Sequence, residues 1–394
     1  MRTKLLVFFL FFIGNSGFAQ TTITLDSLIA ASIRNHPAML QYKAEVLEQQ
    51  QMKKNSFNLP NPEFGIETPA YDFGWNVSQK IEFPLVYLSQ AKLSNQNILL
   101  SKKQYALTKS ELTSIVRTIY IELQFTLSQQ KELKLQDSLY RTLSDANDAR
   151  YNAGEIGLLE KINANNSYQN KNNEWLKSQK DLENARQQLL LISGLKNAEI
   201  IPSDSLSKLT IPINIKVDTS YLVSSPVIEF AKQNSAVSKQ NWKLEKTKLL
   251  PGFFGTYFND KGRRNTITPT RIDLGVTIPL WFWSNSGRVK AAKYKWQSAG
   301  YNLARTQLSV SSQWQQAITD FSKSNSSLLY FETSAMPQAK IIIDAAIRSY
   351  KAGEIGYVEL LQNLKTAFDT RLNYYSALKE FNNSIIQIQK ISGQ

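Results

Sequence analysis

The sequence of 394 residues contains no cysteine and a single histidine, His36. Without thiols there is no disulfide framework, no thiolate metal site and no cysteine nucleophile. One imidazole without partners of suitable type supplies neither a metal site nor a catalytic constellation. Beside Pro37 it reads as a local cap or turn residue. No glycine-rich phosphate loop follows a strand pattern and no acid pair is clustered, so the chain is expected to be no enzyme and to carry no cofactor and no metal. Long hydrophobic runs are also scarce. Past the N-terminus nothing approaches the ~20 apolar residues of a spanning helix, so membrane contact would have to be made by strands or an amphipathic surface. Acids are in deficit, 32 against 46 Lys and Arg, for a net charge of +14. The cations are spread along helical patterns, which fits solvated faces and predicts no nucleic-acid partner.

What the chain does have is a repeat. Residues 151–160 read Y-N-A-G-E-I-G-L-L-E and residues 350–359 read Y-K-A-G-E-I-G-Y-V-E. In both places a long helical pattern runs up to Ala-Gly and another starts just after it, which predicts a tight turn between helices. Glycine supplies the left-handed residue that ends one helix, and the following Glu faces the positive end of the next. Residues 1–19 read as a secretory signal: Arg2 and Lys4, then the apolar run Leu5–Ile13, then small residues ending in Gly17-Phe18-Ala19. No cysteine follows it, which excludes a lipoprotein anchor. The expectation is an exported protein.

Each half follows one plan of helix, β-hairpin, very long helix, turn and long helix. The first structural repeat is residues 20–196, with a hairpin at 62–84 and a helical tip at 151–157. A connector rich in Pro, Ser and Asp fills 197–226, and the second repeat is 227–394, with a hairpin at 252–283 and a tip at 350–356. The fold class is mainly α with a small β part, built from long antiparallel helical hairpins and four strands per chain. The strands show period-two alternation. Trp75, Val77, Ile81 and Phe83 fall on one face and Asn76, Ser78, Lys80 and Glu82 on the other. Ile272, Leu274, Val276 and Ile278 repeat the pattern, with Trp281 and Trp283 at its end. Four strands cannot close a barrel in lipid, so closure would need further copies of the chain. A soluble β-hairpin packed on helices is the other reading of the same strands.

The order and duplication of these parts, from L-D-S-L-I-A-A-S-I-R-N-H-P through both Tyr-x-Ala-Gly turns, resemble the TolC-type outer-membrane efflux proteins. The tip sequence and short length look closest to the heavy-metal cation branch. The resemblance implies a homotrimer whose strands close one barrel in outer-membrane lipid and whose helices continue it as a periplasmic tunnel, with 197–226 around its middle. It implies an exit duct of a tripartite efflux system, passively conducting cargo such as metal cations or drugs. Its partners would be a periplasmic membrane-fusion adaptor and an inner-membrane efflux pump. A soluble periplasmic coiled-coil structural or adaptor protein is the alternative.

The same resemblance places adaptor docking at the tips, at Tyr151, Gly154, Glu155 and Gly157 in one copy and Gly353, Glu354 and Gly356 in the other. Helix capping alone would also explain the glycines. The family's gate uses a tyrosine, an arginine and two aspartates near the second tip. Tyr350 matches the tyrosine and Glu359 keeps a carboxylate, but Ile355 stands for the arginine and Gln362 for the second aspartate. Three copies of Glu359, joined by Glu160, would ring the opening with like charge; a solvated carboxylate at a helix start is the other reading.

Overall fold

Between Pro84 and Asn152 the sequence has neither glycine nor a second proline, and nothing there interrupts a helix. The computed structural model describes residues 22–67, 74–195, 200–210, 225–259, 270–280 and 282–393. The expected signal at 1–19, the turn at 69–72, most of the 197–226 connector and Trp281 lie outside them. The chain opens with β1 (Thr22–Ile23), α1 (Leu25–Asn35) and α2 (Pro37–Met52), followed by a 3-10 turn at Lys53–Phe57. His36 accepts from the Ala38 N–H through Nδ1 at 3.3 Å and so caps α2, whose first residue is Pro37. Two strands, β2 (Glu63–Glu67) and β3 (Gly74–Ile81), lead into α3 (Pro84–Asn152), 69 residues long. At ~1.5 Å per residue it spans about 100 Å. The return helix α4 (Leu158–Ser193) ends at Gly194 with φ +63°.

A short strand β4 (Ile201–Pro202) pairs in parallel with β1. The second half comprises α5 (Pro226–Thr247), β5 (Gly252–Asn259), β6 (Thr270–Thr277), α6 (Phe282–Tyr330), α7 (Met336–Lys351) and α8 (Tyr357–Ser392). The one very long helix expected after the second hairpin is divided in two: it begins at Phe282, and a π turn at Phe331–Ala335 separates α6 from α7. Pro337 explains the break, because it has no N–H to donate one turn back.

The main sheet is antiparallel in the order β2-β3-β5-β6. Its register puts Phe64, Val77, Tyr257 and Ile272 in one row and aligns Ile81, Phe253 and Val276 in another. Trp75, Ile66 and Leu274 share that apolar face. The opposite face carries the row Glu63, Ser78, Thr256 and Asp273, with Lys80 bonded to Glu63 at 2.7 Å and Arg271 to Asp273 at 3.1 Å. Two phenylalanines break its polarity. Arg271 lies over the Phe258 ring at 4.2 Å, and Phe254 covers Gly275, where a Cβ would come within 2.3 Å of the ring. Three residues expected in the strands lie beyond them. Phe83 caps α3, because Pro84 starts the helix, although its ring stacks on Phe253 at 6.2 Å. Ile278 follows the end of β6, just before Pro279, and Trp283 is in the first turn of α6.

Beneath the sheet, α3 packs against α2 on one side and α5 on the other, and α5 packs against α6. Farther down, α3 pairs with α4 and α8, and α6 and α7 pair with α8. Separate apolar clusters mark these levels. The described part of the connector is pinned midway. Asn382, fully buried, accepts from the Leu209 N–H at 2.9 Å and donates to the Ser207 carbonyl at 2.9 Å. Gln124 donates to the Asp204 carbonyl at 3.1 Å, and Lys208 reaches Glu332 of the π turn at 3.2 Å.

Candidate functional site at the helical tips

Both copies of the repeated motif close a helical hairpin with the same backbone bonds. Glu155 N–H donates to the Arg150 carbonyl and Gly154 N–H to that of Tyr151, both at 2.9 Å. In the second copy Glu354 donates to Ser349 at 2.9 Å and Gly353 to Tyr350 at 3.1 Å. This pair of bonds is a Schellman stop and needs a left-handed residue, met by φ +78° at Gly154 and +74° at Gly353. Gly157 and Gly356 are different. They are N-caps with ordinary φ of −80° and −78°, and a Cβ on either would meet nothing within 4 Å. Glu160 and Glu359 fall three residues after these caps, in the first turns of α4 and α8, where a carboxylate faces the positive helix end. Glu359 is exposed and Glu160 half-buried.

The side chains of the two copies diverge. Tyr350 donates to Asn147 Oδ1 at 3.1 Å and accepts from Arg150 Nη1 at 3.0 Å. Arg150 Nε in turn donates to Glu155 Oε2 at 3.2 Å. That bond to Glu155, helped by Tyr350 and Glu160, holds the guanidinium above its ordinary pKa. Asn147 is fully buried and its amide donates to the Leu143 carbonyl at 2.9 Å. A continuous tie, Glu155–Arg150–Tyr350–Asn147, thus joins the end of α3 to the end of α7. Tyr151, the counterpart of Tyr350, instead lies under the Lys161 ammonium at 4.9 Å, and Lys161 pairs with Asp148 at 3.5 Å.

Behind the tips sits an apolar cluster of Tyr140, Leu143, Ala346, Tyr357, Leu360 and Phe368, against which Tyr350 and Ile355 pack. Burial pushes the Tyr140 phenol up to about 12 and that of Tyr357 higher still. Ile355 therefore serves as packing where the resemblance puts an arginine, and Gln362 is exposed on α8 one turn after Glu359. The guanidinium that reaches Tyr350 of the second tip comes from Arg150 of the first, which was not picked out from the sequence. Also missed were Leu159 and Val358, 73% and 70% exposed beside Gly157 and Gly356, with Leu158 and Ile162 nearby. Among the described residues no group of three acidic or His side chains is gathered as a metal site, and no helix is long and apolar enough to cross a membrane. Of the strand residues, Trp75, Val77 and Ile81 of β3 and Ile272, Leu274 and Val276 of β6 share one sheet face, far in sequence from either tip.

This geometry, two helical hairpins closed by return helices of 36 residues and a four-stranded sheet at the far end of their long arms, can be set beside known proteins. Residues 220–394 match the outer membrane efflux protein family. A curated relative is the cobalt-zinc-cadmium resistance protein CzcC of Cupriavidus metallidurans, 22% identical over 264 residues that cover 64% of this chain. The match spans 60% of the length of that protein. Among solved structures, a membrane protein from Pseudomonas aeruginosa has a TM-score of 0.80 at 14% identity, covering 93% of this chain and 90% of that one. The CmeC outer membrane channel of Campylobacter jejuni scores 0.77 at 16% identity, covering 94% and 85%. The fold shared with these two structures thus extends over both halves of the chain.

Proposed function

We propose that the chain is the outer-membrane exit duct of a tripartite efflux system. The observation that carries this reading is the sheet. Its edge strands β2 and β6 each pair on one side only among the described residues. One face is apolar and exposed, with Leu274 at 81%, and the other is lined by Glu63, Ser78, Thr256 and Asp273. A sheet of that kind is stable in lipid only when its edges close on other sheets. Three copies would make a barrel of twelve strands. The apolar rows would face lipid and the polar rows a wet lumen. The helical hairpins would continue the duct through the periplasm.

At the periplasmic end, the exposed Leu158, Leu159 and Val358 beside open helix N-termini suit the apolar tip of an adaptor hairpin, with Tyr151, Gly154, Glu155, Gly157, Gly353, Glu354 and Gly356 shaping the surface. The adaptor would link the duct to an inner-membrane pump. Tyr350, Glu359, Gln362 and Glu160 would border the constriction, with Ile355 packed behind it. The relation to a cobalt-zinc-cadmium resistance protein supports metal cations as cargo, and drugs are the alternative. Selection would rest with the pump. Purified in detergent and added to a planar bilayer, the protein is expected to form stable pores whose cation preference falls in Glu359→Ala. Pores indifferent to that change would remove Glu359 from the constriction. A protein that stays soluble without detergent and never conducts would overturn the duct.

A further inference from the structure

Cations that the sequence spreads along its helices are gathered by the fold at one place. Just beneath the sheet, the end of α5 with its cap (239–248) and the start of α6 (282–295) hold eight Lys and Arg against one acid, Glu245. At the opposite end of the helices the balance reverses, and 137–161 has five acids and three cations. Glu245 is already taken, by Lys248 at 2.7 Å and Arg288 at 3.4 Å. Lys239 and Lys246 lie over the stacked rings of Trp296 and Trp242, at 5.4 and 3.9 Å. Lys243 and Lys293 are exposed and pair with no carboxylate among the described residues.

Lys239, Trp242, Lys243 and Lys246 follow the three- and four-residue steps of one helix face. Two pockets between α2 and α3 tell which side of the layer that is. Tyr42 and Gln104 line the first, Leu40 and Lys102 the second. Residues two apart on a helix point nearly opposite ways, so the pockets open on opposite faces. Phe230 of α5 lines the first and Arg34 of α1 the second. Lys239 follows Phe230 by nine residues, about two and a half turns, and therefore lies on the face that α1 borders. A duct keeps such added segments out of its bore, which makes this the outer face. Between β6 and the cations of α6, Ile278, Leu280 and Trp283 are 64%, 65% and 70% exposed. Apolar strands, then exposed apolar and aromatic side chains, then cations is the order that matches hydrocarbon, interface and anionic headgroups of a bilayer leaflet.

We infer, on the reading of the chain as an outer-membrane duct, that this face of α5 and α6 docks anionic phospholipid headgroups of the leaflet on the helical side of the sheet. Phosphate oxygens accept from Lys243, Lys246 and Lys293, and the Trp242–Trp296 stack holds Lys239 and Lys246 in place. Native mass spectrometry of the detergent-solubilised protein, mixed with equal amounts of phosphatidylglycerol and phosphatidylcholine, reads the preference. The unmodified protein is expected to retain phosphatidylglycerol in excess. A lysine near an anionic surface contributes about fivefold in binding, so Lys239→Gln, Lys243→Gln, Lys246→Gln and Lys293→Gln together should lower that excess by at least about tenfold. The same four positions changed to Arg should keep it. Gln at four exposed lysines farther down, Lys131, Lys134, Lys323 and Lys340, removes equal charge and should leave the preference unchanged. No excess in the unmodified protein, or equal losses in both Gln variants, overturns the lipid surface. So does binding to peptidoglycan sacculi, in place of phosphatidylglycerol, that needs the same four lysines. Pores in a planar bilayer are scored separately. Pores without lipid preference leave the duct standing, whereas an unmodified protein that never conducts removes the duct and the outer face together.

Discussion

Arg371→Met should destabilise the lower helical hairpins by an amount set by one buried carboxylate. Glu132 on α3 is 2% exposed, and Arg371 on α8 reaches its Oε2 at 2.8 Å while itself remaining 30% exposed. Burial raises the Glu132 carboxyl above its usual range; Arg371, and to a lesser extent Gln136, pull it back. Removing one partner of a buried pair costs about 3–5 kcal/mol, and the partial exposure of Arg371 puts this pair at the low end, about 3 kcal/mol. With an unfolding entropy of ~2.1 cal/mol/K per residue, a chain of this length loses about 4 °C in Tm. The effect has a pH signature. A carboxyl whose folded pKa is raised binds its proton more tightly in the folded state, so stability falls as pH rises through the window from its unfolded to its folded value. Without Arg371 that window extends upward, so the deficit should be largest near neutrality and shrink toward pH 5. Heat unfolding of the detergent-solubilised protein, followed by circular dichroism at pH 7.5 and pH 5, measures both. Glu132→Gln combined with Arg371→Met should recover most of the loss. A shift under about 1 °C at pH 7.5, or the same shift at both pH values, would refute the reasoning.

Two further substitutions probe the tie and the pinned connector. Tyr350→Phe removes the hydroxyl that donates to the buried Asn147 and accepts from Arg150, at a cost of about 1–2 kcal/mol. Bilayer recordings are expected to show a higher mean conductance than for Tyr151→Phe, and equal conductances would mean that the tie restrains nothing. Asn382→Leu deletes both bonds to the backbone of Ser207 and Leu209 and should lower stability by about 2–3 kcal/mol. It should also speed limited proteolysis within 203–209, and an unchanged cleavage rate would argue that other contacts hold the connector.

The sequence made the tips and the sheet legible because both depend on local rules. Ala-Gly after a long helical period predicts a left-handed stop, and period-two alternation predicts which strand face is apolar. His36 beside Pro37 was legible as a cap for the same reason. Boundaries were less clear. Alternation continued through Phe83 and Ile278, although Pro84 and Pro279 withdraw the backbone donors that a ladder requires. The tie at the tips was not legible, because Arg150 and Tyr350 are 200 residues apart and nothing local to either marks a partner. Glu132 and Arg371 were hidden by composition, since charges spread along helical patterns read as solvated faces. Their burial emerges only when α8 is laid on α3.

The duplication explains the shared backbone of the two tips and also why their side-chain contacts differ. Identical turn bonds at Gly154 and Gly353 require only backbone geometry, so both copies preserve them. Side-chain partners are set by which helix lies alongside. In the first copy the position before the tyrosine holds Arg150, and in the second it holds Ser349. A guanidinium in one copy can therefore reach the phenol of the other, and the second copy has no cation at that position to return the contact. Tyr151 turns to Lys161 within its own hairpin, whereas Tyr350 is held by the neighbouring one. Bonds that hold one hairpin to the other are those that must break when the hairpins separate. If the proposed duct opens by separating its two tips, the bonds of Tyr350 to Arg150 and Asn147 are the ones expected to break.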